Sequence, residues 1–340
     1  MRKDVKSMSE TTQAALGERA SRPHRAIVEG QELVLIGVIV ALWVTLGFVA
    51  PTILEPSSVF AIFYGVAPIA IMGIAMTAIM CTAGIDVSVG SSLAVVMAVV
   101  ALLLRDLQVG AFVAIAAAIV VGGLLGAVNA SLIAFGRVPA MVCTFGTLNV
   151  FRFVALQVFG DSQIAGVPDT LGFVGGGVDA AFLGIPNAMW LAVVLATLAW
   201  FYMRDFATGR HIYAIGNDAE AARLAGVKVR RRIFWLYVAG GVAVGIAAVV
   251  SLGNGGLVQQ NVGFGIEMSV IAACVIGGTS VVGGRGTVLG TMLGAILVGT
   301  VQAAVIHLHL PNQLTLLFVG VIIIITVGVD LARQARRKRS

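Results

Sequence analysis

Charge is what this chain has least of. Of its 340 residues only 11% are Asp, Glu, Lys or Arg, whereas 59% are hydrophobic, and the mean hydropathy is +1.01. Water-soluble domains carry about a quarter charged residues. A chain this apolar would expose more hydrophobic surface in water than any core can hide. Its length alone allows about two soluble domains. The composition excludes them and leaves a bilayer as the solvent.

Other absences narrow the function. The lysines are Lys3, Lys6, Lys228 and Lys338. None sits in a Gly-x-x-x-x-Gly-Lys-Ser/Thr loop, which cradles phosphates with backbone N–H groups. The chain is not a Walker-type ATPase. The histidines are His24, His211, His307 and His309, with no His-Glu-x-x-His helix, and His307 and His309 point apart on a helix. There is no Gly-x-Ser-x-Gly elbow and no serine with a histidine placed to serve it. No metal site, cofactor or catalytic set is expected, so the chain is read as a non-enzyme. Cys81, Cys143 and Cys274 lie in apolar surroundings without metal spacing, and read as small buried hydrophobes. The net charge of +6 comes without a basic stripe or recognition helix, which argues against nucleic acid.

What is present is long apolar runs. They recur near 31–50, 59–80, 84–104, 110–135, 139–158, 187–203, 233–252, 267–283, 286–306 and 313–330, each near the roughly 17–25 residues a transmembrane helix needs. Glycine and polar residues interrupt the third and eighth. The expected fold is an all-α polytopic membrane protein of about ten helices. Residues 1–30 form a basic tail without a signal-peptide core, 31–331 a single transmembrane domain, and 332–340 a second basic tail.

The basic residues test that count independently. With both ends inside, every Lys and Arg except Arg105 and Arg152 falls in the tails, at Arg137, at Arg285 or in the loop 204–232. The longest outside loop, 159–186, holds Asp161, Asp169 and Asp179 and no Lys or Arg. An even span count with cytoplasmic termini satisfies the positive-inside rule, and dropping one span would invert the central loop or the tail. The two halves also echo one another. Gly84-Ile-Asp-Val-Ser-Val-Gly90 and Gly278-Thr-Ser-Val-Val-Gly-Gly284 follow comparable runs, which suggests repeats of opposite direction. Gly122, Gly123 and Gly126, and Gly286, Gly290 and Gly294, are spaced for close helix packing.

Residues 204–232 are the longest polar stretch between spans. Asn217-Asp218 can cap a short helix over Ala219–Ala225, and Gly226 suits its C-terminal stop. An ordinary surface loop is one reading of this segment. A coupling helix that docks on a motor subunit is the other.

The residues here support a resemblance. Glu220-Ala-Ala-Arg-Leu-Ala-Gly226 resembles the Glu-Ala-Ala-x-x-x-Gly pattern of ATP-binding-cassette importer permeases. Thr208-Gly-Arg-His-Ile-Tyr-Ala-Ile-Gly216, Gly84–Gly90, Gly126-Ala-Val-Asn129, Gly136-Arg-Val-Pro139, Thr144-Phe-Gly-Thr147, Ile271–Ser280 after Glu267, and Gly283-Gly-Arg-Gly286 resemble the ribose-type monosaccharide permease family, in family order. The resemblance covers about residues 60–330. It implies a fold similar to the vitamin-B12-type importer permease in a bacterial inner membrane. It also implies a cytoplasmic ATP-binding subunit that alone binds ATP-Mg, a periplasmic sugar-binding protein and a second permease subunit. Gly216, Asn217, Asp218, Glu220, Ala221, Ala222, Arg223 and Gly226 would then couple to the ATPase. Gly265–Cys274 resembles the autoinducer-2 and rhamnose branch. Where many ribose-type members carry an acid two positions after Glu267, this chain has Ser269.

Polar groups within spans face a cavity or a partner. Asp86, Asn129, Asn149, Arg152, Glu267 and Gln302 are therefore the pathway or gating candidates. An unpaired carboxylate at mid-bilayer costs about 3 kcal/mol or more. Asp86 and Glu267 therefore need an interface, a broken helix to cap, or a partner such as Arg152. Asn129, Asn149 and Gln302 offer hydrogen bonds to a sugar. The same two carboxylates also fit an ion-gradient-driven secondary transporter, and a membrane enzyme finds no catalytic residues to name.

Overall fold

The computed structural model describes residues 30–160, 162–175, 180–311, 313–315, 317–321, 324 and 328. Both basic tails, Asp161 and Asp179 lie outside the described residues. Among those described, eight helices are long and apolar enough to cross a membrane. They are α1 Gly30–Val49, α2 Pro56–Cys81, α3 Val89–Asp106, α4 Ala111–Ala134, α5 Ala140–Phe159, α6 Asn187–Asp205, α9 Val229–Ser251 and α11 Val288–His307. Shorter helices include α7 Ala207–Asn217, α8 Ala219–Leu224 and α10 Ile266–Ile276, with single turns at Pro51–Leu54 and Gly172–Gly175. Helical residues recur between 313 and 328, over the expected last span. Leu33, Phe48, Phe112, Phe145, Phe153 and many other large apolar side chains are exposed on the bundle's outside, as a lipid-facing surface requires.

Contacts between helices fix their relative directions. Glu32 and Trp43 of α1 meet Thr287 and Thr300 beside and within α11, so α1 and α11 run the same way. Thr77 of α2 meets Thr291 of α11, and Gly299 lies against Val66, so α2 runs opposite to α11. Tyr64, early in α2, donates to the carbonyl of Val250, late in α9, so these two are antiparallel as well. This alternation is the one the ten-span reading requires.

Two expectations change. The span expected at 84–104 begins only at Val89, after an irregular segment. The span expected at 267–283 is a helix of 11 residues, about 16 Å long and half the hydrocarbon thickness. It is followed by the non-helical stretch 277–287, where Gly278, Gly283 and Gly284 take left-handed φ of 91, 96 and 76°, conformations that disfavour other residues. The two echoing glycine segments do not lie at opposite ends of the bundle. Gly284 donates its N–H to the carbonyl of Cys81, and α2 and α10 both run toward that junction. This motif pair therefore gives no support to halves of opposite direction.

Small residues set the tightest crossing. A Cβ on Gly241 of α9 would strike the backbone of Gly122 and Gly126 of α4, and one on Gly245 would strike Ala118. Backbones in lipid approach this closely only where side chains are absent, and packing then replaces the hydrophobic drive. Gly290 and Gly294 of α11 serve likewise against Gly277 and Ala273. Gly123 makes only an ordinary contact with Val242.

The loops at the other end are tied by strands that helical periodicity did not foretell. β1 Gln163–Val167 pairs antiparallel with β4 Gly256–Gln259, and Ala181–Phe182 (β2) pairs with Ile185–Pro186 (β3). Arg105, the basic residue expected outside, forms two hydrogen bonds to its neighbour Asp106, at 2.6 and 3.0 Å.

Candidate functional site

The segment between α2 and α3 builds a buried polar chain. Asp86 Oδ1 accepts from the Ser88 amide at 2.9 Å and the Ser88 hydroxyl at 2.6 Å, a local turn that prepares the start of α3. Asn129 of α4 donates to Ser88 Oγ at 2.8 Å, and Thr147 of α5 donates to Asn129 Oδ1 at 2.7 Å. Thr144 donates to the carbonyl of Ile85. Asp86, Ser88, Asn129, Thr144 and Thr147 are all buried, so the network replaces the hydration that burial removes. It joins three helices, and Asp86 holds Ser88, the N-cap residue of α3, within it.

Glu267 is held differently. Its Oε1 accepts from the amide of Gly265 at 3.2 Å, while Oε2 is buried with no hydrogen-bond partner. That oxygen faces the start of α3. A Cβ on Gly90 would meet Glu267 Oε2 and the carbonyl of Gly263, and would lie 3.2 Å from the Ile266 side chain. The N-termini of α3 and α10 thus meet around one carboxylate, and both positive helix ends favour its charge. Arg152 of α5 donates to the carbonyl of Val262 at 2.8 Å in the loop leading to α10. It feels the charge of Glu267 but makes no ion pair with it among the described residues.

Arg152 sits five residues beyond Thr147 on α5, a rise of about 7.5 Å. The polar groups therefore climb through the bundle from the Asp86 network to Glu267 and Arg152. Gln302 of α11 lies apart, donating to Ser269 Oγ at 3.1 Å. Ser269 is thereby supplied with a partner while buried. Asn149 does not join the others. It is on the exposed face of α5 and bonds its own helix at the carbonyl of Phe145.

The central loop folds into two helices where one was expected. Asp218 caps α8 by accepting from the amides of Glu220 and Ala221, both at 2.9 Å. Gly226, with φ of 85°, ends the turn as foreseen. Ala222 is the buried residue of α8, while Glu220, Arg223 and Leu224 face outward. Glu220 and Arg223 form an ion pair one turn apart, and the guanidinium holds the Glu220 carboxyl below the usual carboxylate range.

Sequence reasoning missed α7. It buries Ile212 and Ile215 beneath the bundle, a pattern that two isoleucines in a polar loop only hint at. Tyr213 donates to the carbonyl of Gly286 at 3.0 Å. A Cβ on Gly216 would strike the carbonyl of Cys81 and the amide of Gly284. Three chain breaks thus converge: the end of α2, the end of α7, and the stretch after α10. Glu32 was missed too. It is buried and accepts from Thr287 at 2.6 Å, beside the helix that Thr287 itself caps.

A helical bundle of this length and apolarity, with irregular, polar-lined breaks inside it, is a multi-pass membrane protein of the transporter class. The chain belongs to the family described as branched-chain amino acid transport system / permease component, whose model matches residues 58–327. It is 31% identical over 325 residues to the ribose import permease protein RbsC of Escherichia coli strain K12, covering 95% of this chain and 100% of that protein. It is 33% identical over 318 residues to the autoinducer 2 import system permease protein LsrC of Klebsiella pneumoniae, covering 92% and 91%. A ribose import permease protein of Haemophilus influenzae is 28% identical over 315 residues, covering 90% and 94%. No solved structure matches the chain. The chain is a permease component of a transport system rather than an enzyme.

Proposed function

We propose that this chain is the membrane-spanning subunit of an ATP-binding-cassette importer in a bacterial inner membrane, with its termini and the α7–α8 arm cytoplasmic. A separate ATP-binding subunit docks on α8, a periplasmic binding protein delivers cargo to the opposite face, and a second permease subunit completes the pathway. The cargo is a small neutral sugar: a pentose, a deoxyhexose such as rhamnose, or an autoinducer-2-like sugar. The names of the relatives support ribose and autoinducer-2 about equally, since their identities to this chain differ little.

One observation carries the reading. The exposed ridge of α8 is joined through α7 to Gly216, which is wedged between Cys81 and Gly284. Force applied to α8 therefore reaches the two interruptions next to the buried polar chain without passing through lipid. A loop with no mechanical role needs no such contact.

The test is reconstitution with the partner ATPase. Leu224→Asp, on the exposed ridge, should abolish copurification of the ATPase while leaving membrane insertion unchanged. Intact ATP-dependent sugar uptake after deletion of residues 218–226 would refute the coupling role. Uptake by the purified chain in vesicles driven by an ion gradient without nucleotide would favour a secondary transporter instead.

A further inference from the structure

A notch of about 530 Å³ opens between α7 and the foot of α9, lined by His211, Gly226, Val227, Lys228, Arg231, Arg232 and Trp235. It is separate from the buried polar chain, and although Gly226 at the end of α8 is on its rim, the exposed ridge of Glu220, Arg223 and Leu224 does not line it. Its chemistry is one-sided. Three cations and a histidine line it without a carboxylate. Among the described residues Lys228, Arg231 and Arg232 make no ion pair, and the nearby Glu220 is already engaged by Arg223. His211 Nδ1 is buried and has no hydrogen-bond partner. Lys228, Arg231, Arg232 and Trp235 fall at i, i+3, i+4 and i+7, hence on one face. Like charges gathered around a cavity repel one another, so the arrangement is complete only with an anion in it.

Its position says which anion. Ile233 begins the apolar run of α9 directly after Arg232, so the cations stand at headgroup level. Trp235 is 55% exposed, packs edge-on to Phe234 at 5.4 Å, and lies one turn deeper, where tryptophan favours the membrane interface. The volume lies within the roughly 300–1,000 Å³ of small-molecule pockets, more than a free phosphate ion fills. We infer that the notch binds the phosphate of an anionic phospholipid, with Lys228, Arg231 and Arg232 on the headgroup and Trp235 against the first carbons of the lipid. Membrane lipid would then brace the base of the α7–α8 arm. This inference depends neither on the cargo nor on the ATPase.

The full chain, purified and delipidated, is offered equal amounts of phosphatidylglycerol and phosphatidylcholine, and native mass spectrometry reads the ratio retained. The wild type should retain phosphatidylglycerol preferentially. K228Q/R231Q/R232Q should lose that preference by about 100-fold, about fivefold per charge, whereas the charge-matched R204Q/R210Q/R230Q should stay within about twofold. Should the triple variant fail to insert, R231Q alone with its expected loss of about fivefold decides the matter. An equal loss in both triple variants would mean diffuse attraction and overturn the site. Displacement of the lipid by millimolar inorganic phosphate would overturn the membrane as the source of the anion. Unchanged lipid preference with lost ATPase copurification would assign the notch to an acidic protein partner instead.

Discussion

Asp86 and Glu267 are both carboxylates inside the bundle, yet their surroundings treat them in opposite ways. Asp86 receives two hydrogen bonds from Ser88 and anchors a network shared by α3, α4 and α5. Glu267 receives one hydrogen bond and leaves Oε2 unpartnered between two helix N-termini. A satisfied network rigidifies what it joins, whereas a buried oxygen without a partner is costly to keep. If the same difference extends to function, Asp86 serves structure and Glu267 transport, which substitutions at and beside the two acids can test.

The glycines beside the two acids offer the strongest way to break this comparison. Gly90→Ala should destabilise the protein by about 3 kcal/mol, because the added carbon meets the Gly263 backbone and the Glu267 carboxylate together. Gly84→Ala should cost less, about 2 kcal/mol, since its nearest obstacle at 2.7 Å is the side-chain hydroxyl of Tyr237 and not backbone. Thermal unfolding in detergent measures both, and equal losses would erase the distinction. Next in size, Asp86→Ala strands the Ser88 donors and should cost about 2 kcal/mol, with transport falling only as far as the folded fraction does.

Asp218 performs a similar local capping role in water instead of in the bundle. Asp218→Ala should cost about 1 kcal/mol or less, and a loss as large as that of Asp86→Ala would show that burial adds nothing to the cap. Glu267→Gln should change stability by at most about 0.5 kcal/mol, because it removes a charge that has no full set of partners. Transport into proteoliposomes should nevertheless fall by about tenfold, the equivalent of about 1.4 kcal/mol in the barrier. Unaltered transport would reduce Glu267 to another structural residue.

The smallest effect concerns pH at the arm. The Arg223 guanidinium depresses the Glu220 carboxyl, so the pair contributes above the ordinary carboxylate pKa and is lost as pH falls through the lowered one. ATPase copurification should therefore hold steady from about pH 7 to about pH 5. Arg223→Gln should move its decline to higher pH, and an identical profile in wild type and variant would refute the pairing.

Local signals in the chain were strong where one energy term dominates. The long apolar runs marked the bilayer-crossing helices because each needs only length and apolarity. Asp218 and Gly226 marked α8 because a cap and its stop lie within a few residues of each other. The interruptions of the third and eighth runs were legible, but the shortness of α10 and the late start of α3 were not, since glycine in lipid marks close packing as readily as a break. Arg152 and Glu267 were singled out by their cost in lipid. That Arg152 bonds the carbonyl of Val262, and that Asn149 turns away from the others, depends on how α5 is rotated, which one chain's periodicity leaves free.

The sequence by itself determined an all-α, multi-pass membrane chain with a capped polar arm, because hydropathy and capping act over a few neighbouring residues. Only the tertiary structure decided that Gly84 and Gly284 belong to one end, that Gly216 joins them, and that Asp86 is satisfied while Glu267 is not. Those outcomes depend on which backbones approach within contact distance, and glycines far apart in the chain permit that approach without announcing their partners.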